Sequence, residues 1–343
     1  MKALATVVLL AATGGAAAPP VRIALPDGAR GIGFDDIQYA PGLKRILVPG
    51  GRTGRLALID PATKALVSIA GFSATASFKG GHGEGTTSAA ELDASAGLVV
   101  ATDRGSRTLK VADVTRGHIV ASVKLAGAPD YVRVVPATRE VWVTEPSRKQ
   151  IEVFRAAIGA GADDAATRLS HARNIAVPDG PESLVIDPVR RRAYSHTWTT
   201  ESFAIDLDSH KLVARWRNGC KQSRGIALDE KRGLLFTGCA EGKATVVDLR
   251  ISKVVAEAAA GADVDSIGYA ASLGHLYVPG GGSADLSIFG VSSAGKLTLL
   301  GKVATAADAH TVAFDPTSRT LFVGAPADGT VLAIPDPYAP STE

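Results

Sequence analysis

Apolar and polar residues alternate in short runs along most of this chain, and Gly, Pro, Asp and Asn break the runs at close intervals. That period of two predicts strands that are half buried, joined by tight turns. The stretch from Pro181 to Leu249 contains the pattern twice: PESLVIDPVRRRAYSHTWTTESFAIDL is followed by SRGIALDEKRGLLFTGCAEGKATVVDL. Overlaid, Asp187 falls on Asp229 and Asp206 on Asp248, both 42 residues apart. Each copy holds three short strands, and a fourth run (Leu212 to Trp216, Val254 to Ala258) completes it. Four strands in a repeat of about 40 residues is the pattern of a β-propeller blade.

The rest of the chain divides the same way. A first blade runs from Asp35 to about Gly71 (DDIQYAP, RILVPGG, RLALIDP, ALVSIAG), and a second carries SAAEL, LVVATD, TLKVAD and IVASVKL. The third starts at Asp130 and holds an Ala/Gly/Asp-rich insertion between Ala156 and Ala172, with a short helical turn expected around Asp164 to Leu169. The internal pair makes blades four and five, and DSIGYAA, HLYVPGG, DLSIFGV and KLTLLGKV make the sixth. The seventh has only HTVAFDP, LFVGAPA and TVLAI before a proline-rich tail that cannot pair as a strand. Val21 to Leu25 is a spare strand at the other end. The expected fold is therefore an all-β, seven-bladed propeller of four-stranded antiparallel blades, its ring closed by the N-terminal strand on the last blade.

Composition adds the setting. Residues 1–18 read as a signal peptide: Lys2, an apolar run from Ala3 to Ala12, and small residues at Ala16 to Ala18. No stretch approaches the ~20 apolar residues of a membrane span, so residues 19–343 are expected to form one periplasmic or secreted domain. In that oxidising setting the two cysteines, Cys220 and Cys239, are expected to form a disulfide. A formal charge of +3 is too small to imply nucleic acid.

The unit apolar-x-apolar-Asp-Pro, a turn, a run such as LYVPGG or LFVGAP, then apolar-apolar-Asp resembles the YVTN-type, YncE-like β-propeller repeat proteins of bacteria. HTVAFDPTSRTLFVGA, PESLVIDPVRRRAYSH and GLKRILVPGGRTGRLALIDPATKALV carry the resemblance, which spans roughly residues 30 to 334. Blade two (Glu91) and blade six (Ala270-Ala271 in place of Asp-Pro) depart from it. The resemblance implies an exported propeller that binds something at its mouth, with no catalytic residues to carry over.

Candidate chemistry follows from the repeat. The residues leading into the first strands ring one mouth of the central channel: Asp35, Thr87 or Ser88, Asp130, Glu182, Arg224, Asp265 and His310. Second strands end nearby at Gly50, Asp103, Glu145, Thr197, Cys239, Gly280 and Ala325. His196 precedes one of these ends, and the glycine-rich loop with His82 and Glu84 enters the same face. A polar mouth of this kind is the expected site for a small-molecule, protein or peptide ligand. The acids outnumber Arg224, which favours a cationic or metal-bridged ligand. A divalent metal held by some of His82, Glu84, Glu182, Asp265, His196 and His310 is the second reading, and would suit a lactonase-like, metal-dependent hydrolase. The plain alternative is that the ring acids only cap turns or meet solvent. His118, His171, His210 and His275 are expected to be solvated on the outer parts.

Other chemistries lack support. There is no Gly-x-Ser-x-Gly, Ser195 and His196 point to opposite faces of a strand, and the glycine pairs near Gly31 and Gly81 precede no helix. Three scattered tryptophans do not make the docking motifs of a quinone propeller, and the mouth lacks the basic stripe of a nucleic-acid binder.

Overall fold

A computed structural model describes residues 19–158 and 168–341. The leader expected at residues 1–18 lies outside the described residues, as does most of the expected helical turn; Arg168 and Leu169, at its end, belong to a strand, Arg168–Ala176. The insertion in blade three is correspondingly shorter than its composition suggests, because Ala156 and Ala157 also pair, with Leu169 and Arg168.

Seven four-stranded antiparallel sheets make the ring. In blade one, for example, Gln38–Ala40, Arg45–Pro49, Thr53–Ile59 and Leu66–Ala74 follow one another from the channel outward. In blade seven the outermost strand is Val21–Ala24, which pairs with Thr330–Pro335 in the register Val21 to Ala333 and Ala24 to Thr330.

The turns explain the repeated aspartates. Asp187, Asp229 and Asp315 end first strands and accept backbone N–H bonds from the residue three positions on; Asp60, Asp113, Asp206 and Asp248 do similar work after third strands. These are side-chain caps of tight turns. The residue just before every second strand has positive φ: Lys44, Gly97, Arg139, Arg191, Gly233, Gly274 and Arg319. Glu91, the misfit of blade two, turns its carboxylate to the Leu43 N–H of blade one (2.8 Å) at a bulge in its own strand.

The core is divided among the seven sheet-to-sheet interfaces. Ile46, Val48 and Ile59 of blade one pack on Phe322, Val331 and Ala333 of blade seven, and Ile23 and Leu25 join this cluster. Trp142 of blade three packs on Phe203 of blade four, and Phe236 of blade five on Phe289 of blade six. Each blade buries both faces, so no blade has an independent core.

The C-terminal tail is a clasp. Asp336 accepts bonds from Tyr277 (2.6 Å) and His275 (2.7 Å), and the Ser341 N–H bonds to Leu273 O (2.8 Å), tying the end of blade seven to blade six. His275 is therefore buried rather than solvated. So is the His210 side chain, which bonds Glu140 at 2.9 Å and stacks on Trp142. Outer position in a blade does not mean exposure where a neighbouring turn folds over it.

Candidate functional site

The segments leading into the first strands hold each other in a belt around the channel. Asp36 N–H bonds to Thr87 O (3.1 Å), Thr87 Oγ1 to Asp130 O (3.2 Å), Ser183 Oγ to Arg224 O (2.6 Å) and Ser266 N–H to His310 O (2.9 Å). Because these bonds use backbone or short side chains, the leading residues of different blades are fixed relative to one another. Beneath them the channel is crossed by Tyr131, whose hydroxyl meets Ser266 Oγ at 2.9 Å, and by an Arg133–Asp36 ion pair at 2.6 Å. The mouth is thus a bowl with a floor.

Around the bowl stand Asp130, Glu182, Arg224, Asp265 and His310, with His82 reaching in on its loop; Asp35 lines neither cavity and is buried behind His82. That loop lies so close that a Cβ on Gly33 would sit 1.9 Å from Gly81 O, which explains the glycine at position 33. Two adjoining cavities, about 360 and 320 Å³, share His82, Arg224 and Asp265. His82 Nδ1 is 2.9 Å from Asp35 Oδ2, out of line for a hydrogen bond, and its Nε2 is 3.6 Å from Asp265 Oδ2. His310 aims Nδ1 at Asp308 O (2.6 Å) and Nε2 at Phe34 O (2.8 Å).

Charge follows from this packing. The Asp35 carboxylate beside it, with Asp265 and Asp130, outweighs burial and lifts His82 to about 10, so it is an imidazolium at neutral pH. Burial would raise Asp35, but His82 and Arg104 hold it below the usual carboxylate range. Asp130 is pushed up to about 7 by burial and by Asp35, despite its contact with Arg104. Glu182 is raised well above the ordinary range by burial, Asp130 and Asp265.

Two residues escaped the sequence reading. Arg104 contacts Asp130 and bonds Pro129 O through Nε (2.9 Å). Trp198 donates its indole N–H to Glu182 and is 44% exposed. Both stand one position past the second-strand ends Asp103 and Thr197, and Pro146, Ala240 and Gly281 of other blades, at the same position, also line the bowl. Shifting the overlay by one residue would have found them. With Arg104 counted and two carboxyls shifted upward, the acidic excess read from the sequence is largely cancelled.

His196 is not part of the bowl. It pairs with Glu182 in the ladder, yet its side chain turns into the body of the blade, fully buried, with Nδ1 2.8 Å from Ser202 Oγ and no hydrogen-bond partner at Nε2. Burial lowers it to about 3, so it is neutral. Glu84 bonds Thr75 (2.6 Å) on the outer side of the loop and lines neither cavity. Cys220 and Cys239 are joined, with Cα atoms 5.3 Å apart, and both are buried beside the segment that carries Arg224.

No protein-family model and no curated protein matches the sequence. Solved structures do match the fold. One chain of the mitotic checkpoint complex superposes with a TM-score of 0.74 at 13% identity, covering 98% of this chain and 97% of that one. A chain of Kuenenia stuttgartiensis hydrazine synthase gives 0.72 at 13% identity, covering 90% and 96%. At that identity the likeness establishes the seven-bladed propeller alone.

Proposed function

We propose that this chain is an exported, non-catalytic binding propeller of the YVTN type whose bowl takes a small polar ligand of little net charge. One observation carries the reading. Arg224 spends its guanidinium on a single neighbouring carbonyl, Ser223 O (2.9 Å), and among the described residues it meets no carboxylate within ion-pair distance. Asp265 shares both cavities with it and touches only the two histidines, at 3.6 and 3.9 Å. The bowl therefore offers a donor fork, the Asp265 carboxylate with Asp263 and Asp308 at the rim, and an exposed indole, while Asp130 and Glu182 can each donate or accept a hydrogen bond when protonated. A polyhydroxylated or zwitterionic small molecule matches that set better than the cation the acid count suggested. A leader at residues 1–18 and the disulfide are consistent with export.

The test is a titration with monosaccharides and free amino acids, read by calorimetry on the wild type, Arg224→Gln and Asp265→Asn. Losing a charged partner costs about 1.5–3 kcal/mol, so each variant weakens binding at least about tenfold. Binding that survives both substitutions unchanged contradicts the reading.

The lactonase-like alternative rests on His82, Asp265 and His310, whose donor atoms lie within 4.8 Å of one another. The donors fit a metal poorly. Both nitrogens of His310 face carbonyl oxygens, His82 must first lose its proton, and Arg104 and Arg224 repel a cation. Elemental analysis of protein loaded with zinc or calcium and then dialysed separates the two: stoichiometric metal lost in His82→Gln favours the hydrolase.

A further inference from the structure

The channel floor separates the bowl from a cavity at the opposite end, about 530 Å³, that the ligand reading of the bowl does not use. It lies between the first strands of blades four to seven and blade one. Val185, Ile226, Leu228 and Phe314, with Tyr39 and Tyr269, line it and are all only partly covered. Each of these side chains packs on the core between neighbouring sheets, and the surface it leaves uncovered lines this space. The volume falls within the roughly 300–1,000 Å³ of small-molecule sites.

The floor of this cavity carries one charge pair. Arg133 binds Asp36 through a fork (2.6 and 3.1 Å) and Val132 O (2.8 Å), which uses three of its five N–H groups. Its side chain keeps 16% exposure, whereas that of Asp36 keeps 3%. The Asp36 oxygens are already filled by Arg133, by Gln38 Nε2 (2.6 Å) and by Ser88 Oγ (2.5 Å). Of the two charges, then, only the donor has capacity left for a ligand.

We infer that this cavity is a second binding site, for a small amphiphile whose apolar body fills the funnel and whose carboxylate or other acceptor head meets Arg133. Water alone would leave the uncovered surface of six apolar and aromatic side chains solvated around a concavity, and a cationic head would meet the guanidinium charge with only the neutral Gln38 carbonyl beside it.

The experiment uses decanoate, decylamine and 1-decanol as probes, with calorimetry on the full chain. Decanoate binds with one-to-one stoichiometry, and decylamine binds at least about tenfold more weakly, the difference a charge-assisted hydrogen bond supports. Val185→Trp fills the funnel and Ile226→Glu charges its wall; both abolish decanoate binding while keeping the wild-type circular dichroism and melting profile. Trp198→Ala, in the bowl, leaves decanoate binding unchanged. Failure of decanoate to bind overturns the inference. So does equal binding of the amine, or decanoate binding that survives both wall substitutions, which would indicate nonspecific adsorption. A folded wild type that ignores all three probes but binds apolar peptides at this end would assign the funnel to a protein partner instead. None of these results bears on the bowl, so the two sites fail or stand separately.

Discussion

At the residue scale, two histidines on the same side of the ring were equally plausible ligands by position, and their surroundings drive them in opposite directions. His82 gains Asp35 and is lifted to about 10; His196 loses water and falls to about 3. In an unfolded chain both titrate near 6.5. Linkage then gives each a sign. The folded state holds the His82 proton more tightly, so its contribution is full below about pH 6.5 and is lost as pH rises through about 10. His196 binds its proton more weakly when folded, so its contribution is full above about pH 6.5 and is lost as pH falls toward about 3. Stability measured by urea unfolding across pH is predicted to decline at both ends. His82→Gln flattens the alkaline limb and His196→Gln the acid limb. Acid and alkaline limbs unchanged in both variants would contradict these assignments. Position in the repeat brought Asp130, Glu182, Asp265 and Arg224 to one mouth because register is a backbone property, whereas Asp35 is buried behind His82. It could not place the His196 side chain, since the ladder says which residues are opposite and not which void the ring will enter.

At the element scale, the turns and the outer strand of blade seven invite direct tests. Lys44 and Arg139 hold φ of 52° and 53° at the position that Gly97, Gly233 and Gly274 occupy in other blades. A side chain there costs about 1–2 kcal/mol, partly offset by the greater unfolded entropy of glycine. Lys44→Gly and Arg139→Gly are each predicted to raise stability by about 0.5–1 kcal/mol; a lower melting temperature in both would mean that the side chains are held by contacts that outweigh the strain. Removing Val21 to Leu25 exposes the edge of Thr330–Pro335 and takes the buried Ile23 and Leu25 out of the cluster between blades seven and one. The expected loss is at least about 3 kcal/mol from these two side chains, with reduced solubility. An unchanged melting temperature would show that the strand does not hold the ring. The strands themselves were legible as a period of two, and blade two was recovered despite Glu91. The clasp at Asp336 was not, because a proline-rich tail carries no periodicity and its bonds to His275 and Tyr277 join residues about 60 positions apart.

At the scale of the whole molecule, a plugged channel makes two cavities of different character. One is a charged bowl near electrical balance, the other an apolar funnel with a guanidinium at its base. The balance of the bowl was the hardest property to read in advance. It depends on Arg104, one position off the ring, and on Asp130 and Glu182, whose charges are suppressed by burial and by neighbouring carboxylates. We propose the bowl as the site at which this propeller recognises a small polar ligand. The chain carries three tryptophans; Trp142 and Trp216 are buried, and Trp198 stands in the bowl with its N–H on Glu182. The most direct measurement is therefore the ¹⁵N indole spectrum during titration with the monosaccharide and amino-acid panel. A ligand of the bowl shifts the Trp198 resonance saturably and leaves the other two in place, and Arg224→Gln weakens that response at least about tenfold. A compound that binds by calorimetry while the Trp198 resonance stays fixed would contradict the claim.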